Sequence, residues 1–354
     1  MVVLDRAVDV GSLKRVAAVL LGAAPVVGMA TYLGVDAVWT ALAGVDAEVL
    51  AAVAGTAVVI LVLRGVALWT VLDVLGYRTP VTRALSAYAA TVAVSAVVPG
   101  GQAGGAPVNG YLVSQTGEAD YEDGIAAVVC VAALSNAAVA LFGLLGVGYL
   151  LATTTGRRGV LALAVLATVL FGVAAIALAG LWRMRDLAVA LVTAAVASAG
   201  RAAVVIPGVS PPERDTIEAA VSRFGDALER LRGVTPRQAA VLAVSMGSAH
   251  ALTVLALWVS FAAVGEPVSV GVILAAIPAG VATAVVPTPG GFGSIEVALV
   301  GLLAAGTSAS LQTTSAAVLV YQTTTTGFML LVGCGVLAVM LTVGLVDGAR
   351  LRSA

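Results

Sequence analysis

Long apolar runs follow one another along the chain, separated by short segments of polar residues, glycine and proline. A membrane-spanning helix needs about 20 predominantly apolar residues, and eight runs approach or exceed that length. A ninth run, 187–206, contains Arg201 and ends before Pro207, so it predicts either a further span or a helix along the membrane surface. The pattern predicts an all-α polytopic membrane protein with eight or nine transmembrane helices. The eight runs are about 16–35, 49–72, 83–98, 122–151, 160–181, 238–264, 268–286 and 313–346.

One longer segment, 207–237, is rich in charged residues. Within it Val221, Phe224, Leu228 and Leu231 recur at helical spacing, which predicts an amphipathic helix. Such a helix lies at the membrane interface or serves as a solvated connector. Both interpretations remain open from the sequence.

Two of the apolar runs end in related motifs. The stretch VVPGGQAGGAPVNGY begins at Val97, and VVPTPGGFGSIE begins at Val285. The short segments that follow, 108–116 and 294–305, cannot span about 30 Å of hydrocarbon. Paired, interrupted short segments in two halves indicate a transporter-type repeat with re-entrant loops; ordinary extramembrane turns are the alternative.

Basic residues set the expected orientation, since cytoplasmic loops are enriched in them. Lys14 and Arg15 place the N-terminus inside, Arg78 and Arg83 return to the inside, and 99–120 then falls outside. The two loops would open on opposite sides, making the repeat inverted. We expect one membrane domain over 1–354, with a cytoplasmic N-terminus at 1–15, a first half at 16–181 with loop 99–117, a cytoplasmic or interfacial connector at 207–237, and a second half at 238–346 with loop 287–305.

Composition supports the membrane assignment and narrows the function. Of 354 residues, 60% are hydrophobic and 10% charged, with a mean hydropathy of +1.08, whereas soluble domains carry about 25% charged residues. The net charge of −1 gives no case for a nucleic-acid partner. A single lysine and sparse, acidic loops suit a halophile. Cys130 and Cys334 both lie in apolar runs and are expected to be small buried residues.

No enzyme motif, clustered Cys and His, or nucleotide loop occurs in the sequence. We therefore expect no enzymatic activity, no metal and no cofactor. Transport by this chain would run downhill, use an ion gradient, or draw on a partner's energy.

Glu296 is the sharpest candidate for function, because ionisable residues within the membrane are costly and usually functional. It would meet a cationic head group or carry a proton, or else cap the helix that begins beside it. Glycines at the two loops would let a phosphate approach exposed backbone N–H groups. These glycines are Gly100, Gly101, Gly290 and Gly291.

Five further polar residues lie in apolar surroundings. Arg64 either extends to the inner interface or faces a cavity and holds a lipid phosphate. His250, the single histidine, is a packed residue or a proton relay. Gln102, Asn109 and Gln322 bridge helices or contact substrate, and the first two lie in the first loop.

The motif Pro287-Thr288-Pro289-Gly290-Gly291-Phe292-Gly293 followed by Glu296, together with Pro99-Gly100-Gly101, resembles the lysylphosphatidylglycerol synthase transmembrane domain family of flippase-like proteins. The resemblance extends over roughly 60–345. Members often carry a Glu and an Arg in the first loop, where this chain has Ala106 and Asn109, so an internal charge pair is lost. The lysyl-transferring soluble domain is expected to be absent, and the composition suits a haloarchaeal member of the family.

The resemblance implies a flippase-like protein of the plasma membrane that moves a lipid or lipid-linked head group by alternating access around the two loops. A secondary transporter of a small polar solute and a non-transporting subunit of a glycolipid pathway are the alternatives. The expected partner is a membrane lipid, and a homodimer or a pathway partner stays open. The sequence leaves the substrate lipid, the energy source and the direction of transport unassigned.

Overall fold

The computed structural model describes residues 35–97, 105–153, 214–283 and 294–343, and all regular elements within these ranges are helical. The fold is that of an all-α polytopic membrane protein. In chain order the elements are α1 Val35–Ala43, α2 Ala47–Val74, α3 Val81–Val97, α4 Ala106–Gly117, α5 Tyr121–Thr153, α6 Arg214–Arg230, a 3-10 turn at Leu231–Gly233, α7 Pro236–Ala263, α8 Val270–Ala282, α9 Ser294–Gly306, α10 Leu311–Tyr321, a π-helix at Gln322–Gly327, and α11 Phe328–Thr342.

Four helical stretches in the described part are long and apolar enough to cross a membrane. They are α2, α5, α7 and the continuous stretch Leu311–Thr342 formed by α10, the π-helix and α11. A 28-residue helix such as α2 rises about 42 Å at 1.5 Å per residue, more than the hydrocarbon thickness of about 30 Å. These stretches match four of the predicted runs. The predicted runs 16–35, 160–181 and 187–206 lie outside the described residues, apart from Val35.

Large apolar side chains cover the outer surface of these long helices. Leu141, Leu144 and Leu145 of α5 are each more than half exposed, and Val244 of α7 is 67% exposed. In a soluble protein such a surface would be an aggregation liability, whereas here it faces lipid. The described interior is packed mainly by alanines, valines and leucines.

The predicted runs 83–98 and 268–286 form the first arms of two helical hairpins. In the first hairpin, α3 is followed by the 12-residue α4, and the open ends of the two helices meet where Arg83 Nη1 lies 2.6 Å from Glu118 Oε1. Glu118, with φ of 55°, ends α4 in the left-handed region. The chain therefore returns to the side from which α3 started. The loop tip, 98–104, lies outside the described residues.

This geometry corrects one predicted feature. The expectation that all of 99–120 lies opposite Arg78 and Arg83 is wrong at its C-terminal end, because Glu118 pairs with Arg83 and the N–H of Asp120 donates to the Tyr77 hydroxyl at 3.3 Å. The short α4 folds back along α3 instead of leaving the chain on the far side.

The second hairpin, α8 and α9, opens on the opposite side of the molecule. Gly280 of α8 packs against Leu299 of α9 near the loop. The start of α8 packs on the end of α5, where Gly271 lies against the ring of Tyr149. Because α5 begins beside the open end of the first hairpin and is 33 residues long, its end lies across the membrane. The two hairpins are therefore inverted, as predicted. Residues 284–293 lie outside the described part.

The turns that lead into the two hairpins are built alike. Trp69 Nε1 donates to the carbonyl of Thr79 at 3.0 Å, and Trp258 Nε1 donates to that of Val268 at 3.1 Å, in each case ten residues on. Gly76 and Gly265 sit at matching places with φ of 97° and 80°, a conformation that favours glycine. This hydrogen-bond pattern supports the repeat inferred from the proline and glycine motifs.

The predicted amphipathic helix within 207–237 forms as α6 and packs on the membrane domain. Ala227 and Leu231 are buried, and Phe224 and Leu228 pack into the same cluster as Leu72. We call this end of the molecule the charged side; it is defined by Asp73, Tyr77, Arg83, Glu118, Asp123, Arg223 and Arg230.

Candidate functional site

The centre of the second half contains a chain of buried hydrogen bonds. Gln322 Nε2 donates to Glu296 Oε1, and the hydroxyl of Thr326 donates to Gln322 Oε1 at 2.6 Å. Glu296 is 8% exposed and Gln322 is 6% exposed. The chain links the first turn of α9 to the π-helix. Gln322 therefore bridges helices, as one of its two interpretations predicted, and it does so through the carboxylate singled out as the best candidate.

The π-helix coincides with the sequence QTTTTG. β-Branched residues fit an α-helix poorly, and threonine hydroxyls compete for backbone carbonyls. Thr324 Oγ1 donates to the carbonyl of Val320 at 2.6 Å, while the hydroxyls of Thr323 and Thr325 are buried and have no partner. Short π-helical segments are frequent at functional sites.

Arg64 faces the interior rather than the membrane interface. It lies in α2 and interacts with the hydroxyl of Tyr88 on α3. It also lies within electrostatic range of the hydroxyl of Tyr321 on α10. The residue is half-buried, and its Nε is fully buried without a partner. Of its two predicted positions, the structure places Arg64 in the inward-facing one.

His250 lies deep in α7, facing Arg64. It is 3% exposed, its ring packs edge-on against Phe142 with centroids 4.9 Å apart, and its Nε2 has no hydrogen-bond partner. The ring lies within electrostatic range of the Arg64 guanidinium. His250 is thus packed, as one interpretation expected, but it keeps one nitrogen available.

Asn109 lines a groove in the first half. Its Nδ2 donates to Ser95 Oγ at 2.9 Å, joining the arms of the first hairpin, while its Oδ1 is buried and unpartnered. The groove contains about 470 Å³ of empty space, part of it open to the surroundings, and is lined also by Tyr88 and Ser135. Through Tyr88 the groove reaches the neighbourhood of Arg64.

Comparison with known proteins identifies the chain. The family described as the lysylphosphatidylglycerol synthase TM region matches residues 15–333. The chain belongs to this family. No curated protein and no solved structure matches the chain. The family match confirms the resemblance inferred from the two motifs, and it begins earlier in the chain than the predicted range of roughly 60–345.

The structure places the predicted site residues of this family member in three groups. Glu296 and Gln322 are in direct contact. Arg64 lies within electrostatic range of His250, and Tyr321 lies within such range of both Arg64 and Glu296. Asn109 lies in the groove of the first hairpin. Five predicted residues fall outside the described part, namely Gly100, Gly101, Gln102, Gly290 and Gly291.

Sequence reasoning missed the tyrosines of this family member. Tyr88 and Tyr321 flank Arg64, and Tyr111 has a buried hydroxyl with no partner. A tyrosine within an otherwise aliphatic run is the signal that would have found them, since its hydroxyl usually needs a partner when buried.

A second polar cluster closes the charged side. Asp123, 2% exposed, accepts hydrogen bonds from Arg230 and from the hydroxyl of Tyr77, and Arg230 Nη1 also donates to the carbonyl of Leu75 at 3.1 Å. Burial, followed by the hydrogen bond to Asp123, raises the pKa of Tyr77. The cluster ties α6 to the start of α5 and to the turn before the first hairpin.

Proposed function

We propose that this protein translocates a lipid or lipid-linked head group across the cell membrane by alternating access around its two inverted hairpins. The observation that carries the proposal is the buried chain from Glu296 through Gln322 to Thr326, which joins the second hairpin to a π-helix inside an apolar bundle. Membership of the lysylphosphatidylglycerol synthase TM-region family supports the same function.

The physical argument starts from the cost of polar groups in hydrocarbon. Ionisable and amide side chains within a membrane are expensive, and they mark substrate or ion pathways. Arg64, His250, Glu296 and Gln322 lie within helical stretches that also expose large apolar side chains, and Asn109 lies in the largely buried short helix α4. A head group that crosses the bilayer needs such a polar route, while its acyl chains remain in the lipid.

Alternating access needs an element that has two arrangements. The hydrogen bond between Glu296 and Gln322 locks the second hairpin to the π-helix. In the proposed cycle this bond opens when a head group competes for the carboxylate, and the π-helix lets the stretch Leu311–Thr342 bend. The two inverted hairpins then serve opposite faces of the membrane.

Transport of a small polar solute is the second candidate, and the groove beside Asn109 favours it. The groove presents the amide of Asn109 and the hydroxyls of Thr91, Ser95 and Ser135, and a few convergent polar groups of this kind orient a small ligand. The same reconstituted protein separates the two candidates, because solute uptake without lipid movement would select this one.

The test is a lipid-scrambling assay in proteoliposomes with fluorescent phospholipids. The wild-type protein is expected to move the labelled lipid faster than protein-free liposomes do. E296Q is expected to slow the movement by roughly tenfold or more, because hydrogen bonds to charged groups contribute about 1.5–3 kcal/mol. The matched control is E48Q, which removes an exposed carboxylate at the start of α2 and is expected to leave the rate unchanged.

Two outcomes would count against the proposal. A wild-type rate equal to that of empty liposomes would remove lipid movement as the function. A fully active E296Q variant would leave the charge of Glu296 without a role in transport. The orientation belongs to the same proposal: the charged side, with α6, faces the cytoplasm, and the N-terminus lies inside.

A further inference from the structure

The interior of the second half contains polar groups that the fold leaves unsatisfied. The Nε of Arg64 and the Nε2 of His250 are buried without a partner, as are the hydroxyls of Thr323 and Thr325. A buried polar group that lacks its hydrogen bond costs about 1–3 kcal/mol, and more when it is charged. Native proteins contain few such groups, and an unseen water or ion is a common explanation. Their gathering around α2, α7 and the π-helix indicates a ligand.

The charge balance indicates the sign of that ligand. The ion pairs among the described residues involve Arg83, Arg223, Arg230 and Arg232, and none involves Arg64. Among the described residues, the groups that act on Arg64 are the hydroxyls of Tyr88 and Tyr321. A guanidinium inside a membrane bundle that has two tyrosines and no carboxylate partner in the described part lacks a counter-charge, which an anionic ligand would supply.

Glu296 does not supply that counter-charge. Its Oε1 accepts a hydrogen bond from Gln322, and Glu296 is not among the described groups that act on Arg64. The guanidinium is therefore not paired with this carboxylate.

His250 adds a second donor next to Arg64. Its ring is fixed by the edge-on contact with Phe142, and its Nε2 points to no protein partner. A guanidinium presents a planar fork of N–H groups that matches the oxygens of a phosphate group, and the fixed imidazole adds a further polar contact. The groove beside Tyr88 offers a polar entry, since Asn109, Thr91 and Ser135 line it.

We propose that Arg64, assisted by His250 and Tyr88, forms a subsite for a phosphate group. Within the proposed function, on which this assignment rests, the phosphate is that of the head group being moved. Free inorganic phosphate has the same chemistry, and the experiment distinguishes the two sources. The phosphate diester of a phospholipid is the expected ligand because Tyr88, which interacts with Arg64, also lines the groove, and the groove has apolar lining from Leu68, Val92 and Val128 beside its polar groups.

Binding is measured without transport, on purified protein in a neutral detergent. The probes are dihexanoyl phosphatidylglycerol, inorganic phosphate and dihexanoyl glycerol, which has the same chains and no phosphate. The phospholipid is expected to raise the melting temperature and to give a saturable calorimetric signal. The phosphate-free lipid is expected to do neither, and inorganic phosphate to bind more weakly than the phospholipid.

The variants test the named side chains. R64Q is expected to weaken phospholipid binding by roughly tenfold or more, the effect of losing charge-assisted hydrogen bonds. R83Q removes an exposed arginine on the charged side and should bind as the wild type does. R64K keeps the positive charge but loses the planar fork of guanidinium N–H groups. H250F keeps an aromatic ring but loses the imidazole N–H donor. Each variant is expected to bind the phospholipid more weakly than the wild type does. These two variants decide the question if R64Q does not fold.

The outcomes are separable from those of the transport assay. Equal binding of the two dihexanoyl lipids overturns the subsite. Phospholipid binding that is unchanged in R64Q, or unchanged in both R64K and H250F, overturns it as well. Inorganic phosphate bound as tightly as the phospholipid makes it a site for free phosphate and overturns the lipid assignment. Binding that depends on Arg64 in a protein that moves no lipid keeps the subsite and refutes the transport function alone.

Discussion

Gly333 and Gly335 are two residues apart in α11, but they differ in the space available for a side chain. A Cβ at Gly333 would collide with the carbonyl of Ala89 on α3, whereas a Cβ at Gly335 would meet nothing within 4 Å. G333A is therefore expected to destabilise the protein by about 1–3 kcal/mol, the usual cost of overpacking. G335A is expected to be neutral or slightly stabilising, because alanine favours the helix. Thermal unfolding in detergent measures both, and equal melting temperatures would contradict the close packing of α3 on α11.

The bond between Glu296 and Gln322 predicts strong coupling between the two residues. Q322L leaves a buried carboxylate without this donor, and E296L leaves a buried amide without this acceptor, so each single variant is expected to lose about 1–3 kcal/mol. Losing both partners together costs less than the sum. A double-mutant cycle on the free energy of unfolding should show coupling of about 0.5–3 kcal/mol. Additive effects would show that the two side chains do not act as a pair.

Individual polar residues could be selected from the sequence, but their partners could not. Glu296, Gln322, Arg64 and His250 stand out because they interrupt apolar runs. Glu296 and Gln322 are 26 positions apart on different helices, and no local pattern joins them. The pairing follows from how α9 packs beside the π-helix, which is a tertiary property.

At the scale of elements, the two tryptophan-bound turns should be equivalent in stability. W69F and W258F each remove one indole hydrogen bond, to Thr79 and Val268 respectively, and keep an aromatic ring. Each is expected to cost about 0.5–1.5 kcal/mol locally. Hydrogen exchange of the amides in 75–80 and 264–269 measures this, with W39F as the control because Trp39 is 73% exposed. Faster exchange at only one turn would contradict the equivalence of the two halves.

The cluster around Asp123 predicts a pH-dependent attachment of the charged side. Folding raises the pKa of Tyr77, so its neutral hydroxyl stabilises the protein fully below the unfolded value of about 10, and this contribution is lost as the pH rises through the folded pKa. Y77F is expected to be less stable than the wild type by about 1 kcal/mol near neutral pH, with the difference disappearing at strongly alkaline pH.

Melting temperatures of wild type and Y77F across this pH range provide the measurement. Y149F is the control, because Tyr149 is 52% exposed on the membrane surface and keeps its ring against Gly271. A difference between wild type and Y77F that persists unchanged at high pH would show that the hydroxyl proton is not what stabilises the cluster.

Most elements follow from the sequence, with one informative exception. The long apolar runs and the amphipathic pattern of α6 gave helices close to those in the structure. The π-helix was not foreseen, because the four threonines from Thr323 to Thr326 fit a cavity lining equally well. Only the packing of their neighbours decides how the backbone accommodates them.

At the scale of the whole molecule, charge counting misplaced the end of the first hairpin for a physical reason. The stretch 118–123 contains acidic residues and no basic one, and acidic residues contribute little to the orientation rule. At 17 residues, α3 rises about 25 Å, so it resembles a short span by length alone. The contact between Arg83 and Glu118 is what reveals the return of the chain.

The inverted arrangement predicts which positions share a face of the membrane. In a C130A/C334A background, R78C and E118C are expected to react with an impermeant maleimide from one side, because they flank the open end of the first hairpin. S269C and S308C flank the second hairpin and should react from the other side. Right-side-out and inverted vesicles provide the two exposures. L145C, facing lipid, should stay unlabelled until detergent is added, since Leu145 is 57% exposed on the apolar surface. If R78C and E118C were labelled from opposite sides, the first hairpin would be a full crossing of the membrane. If all four positions were labelled from one side, the two halves would be parallel, and neither hairpin could serve the opposite leaflet.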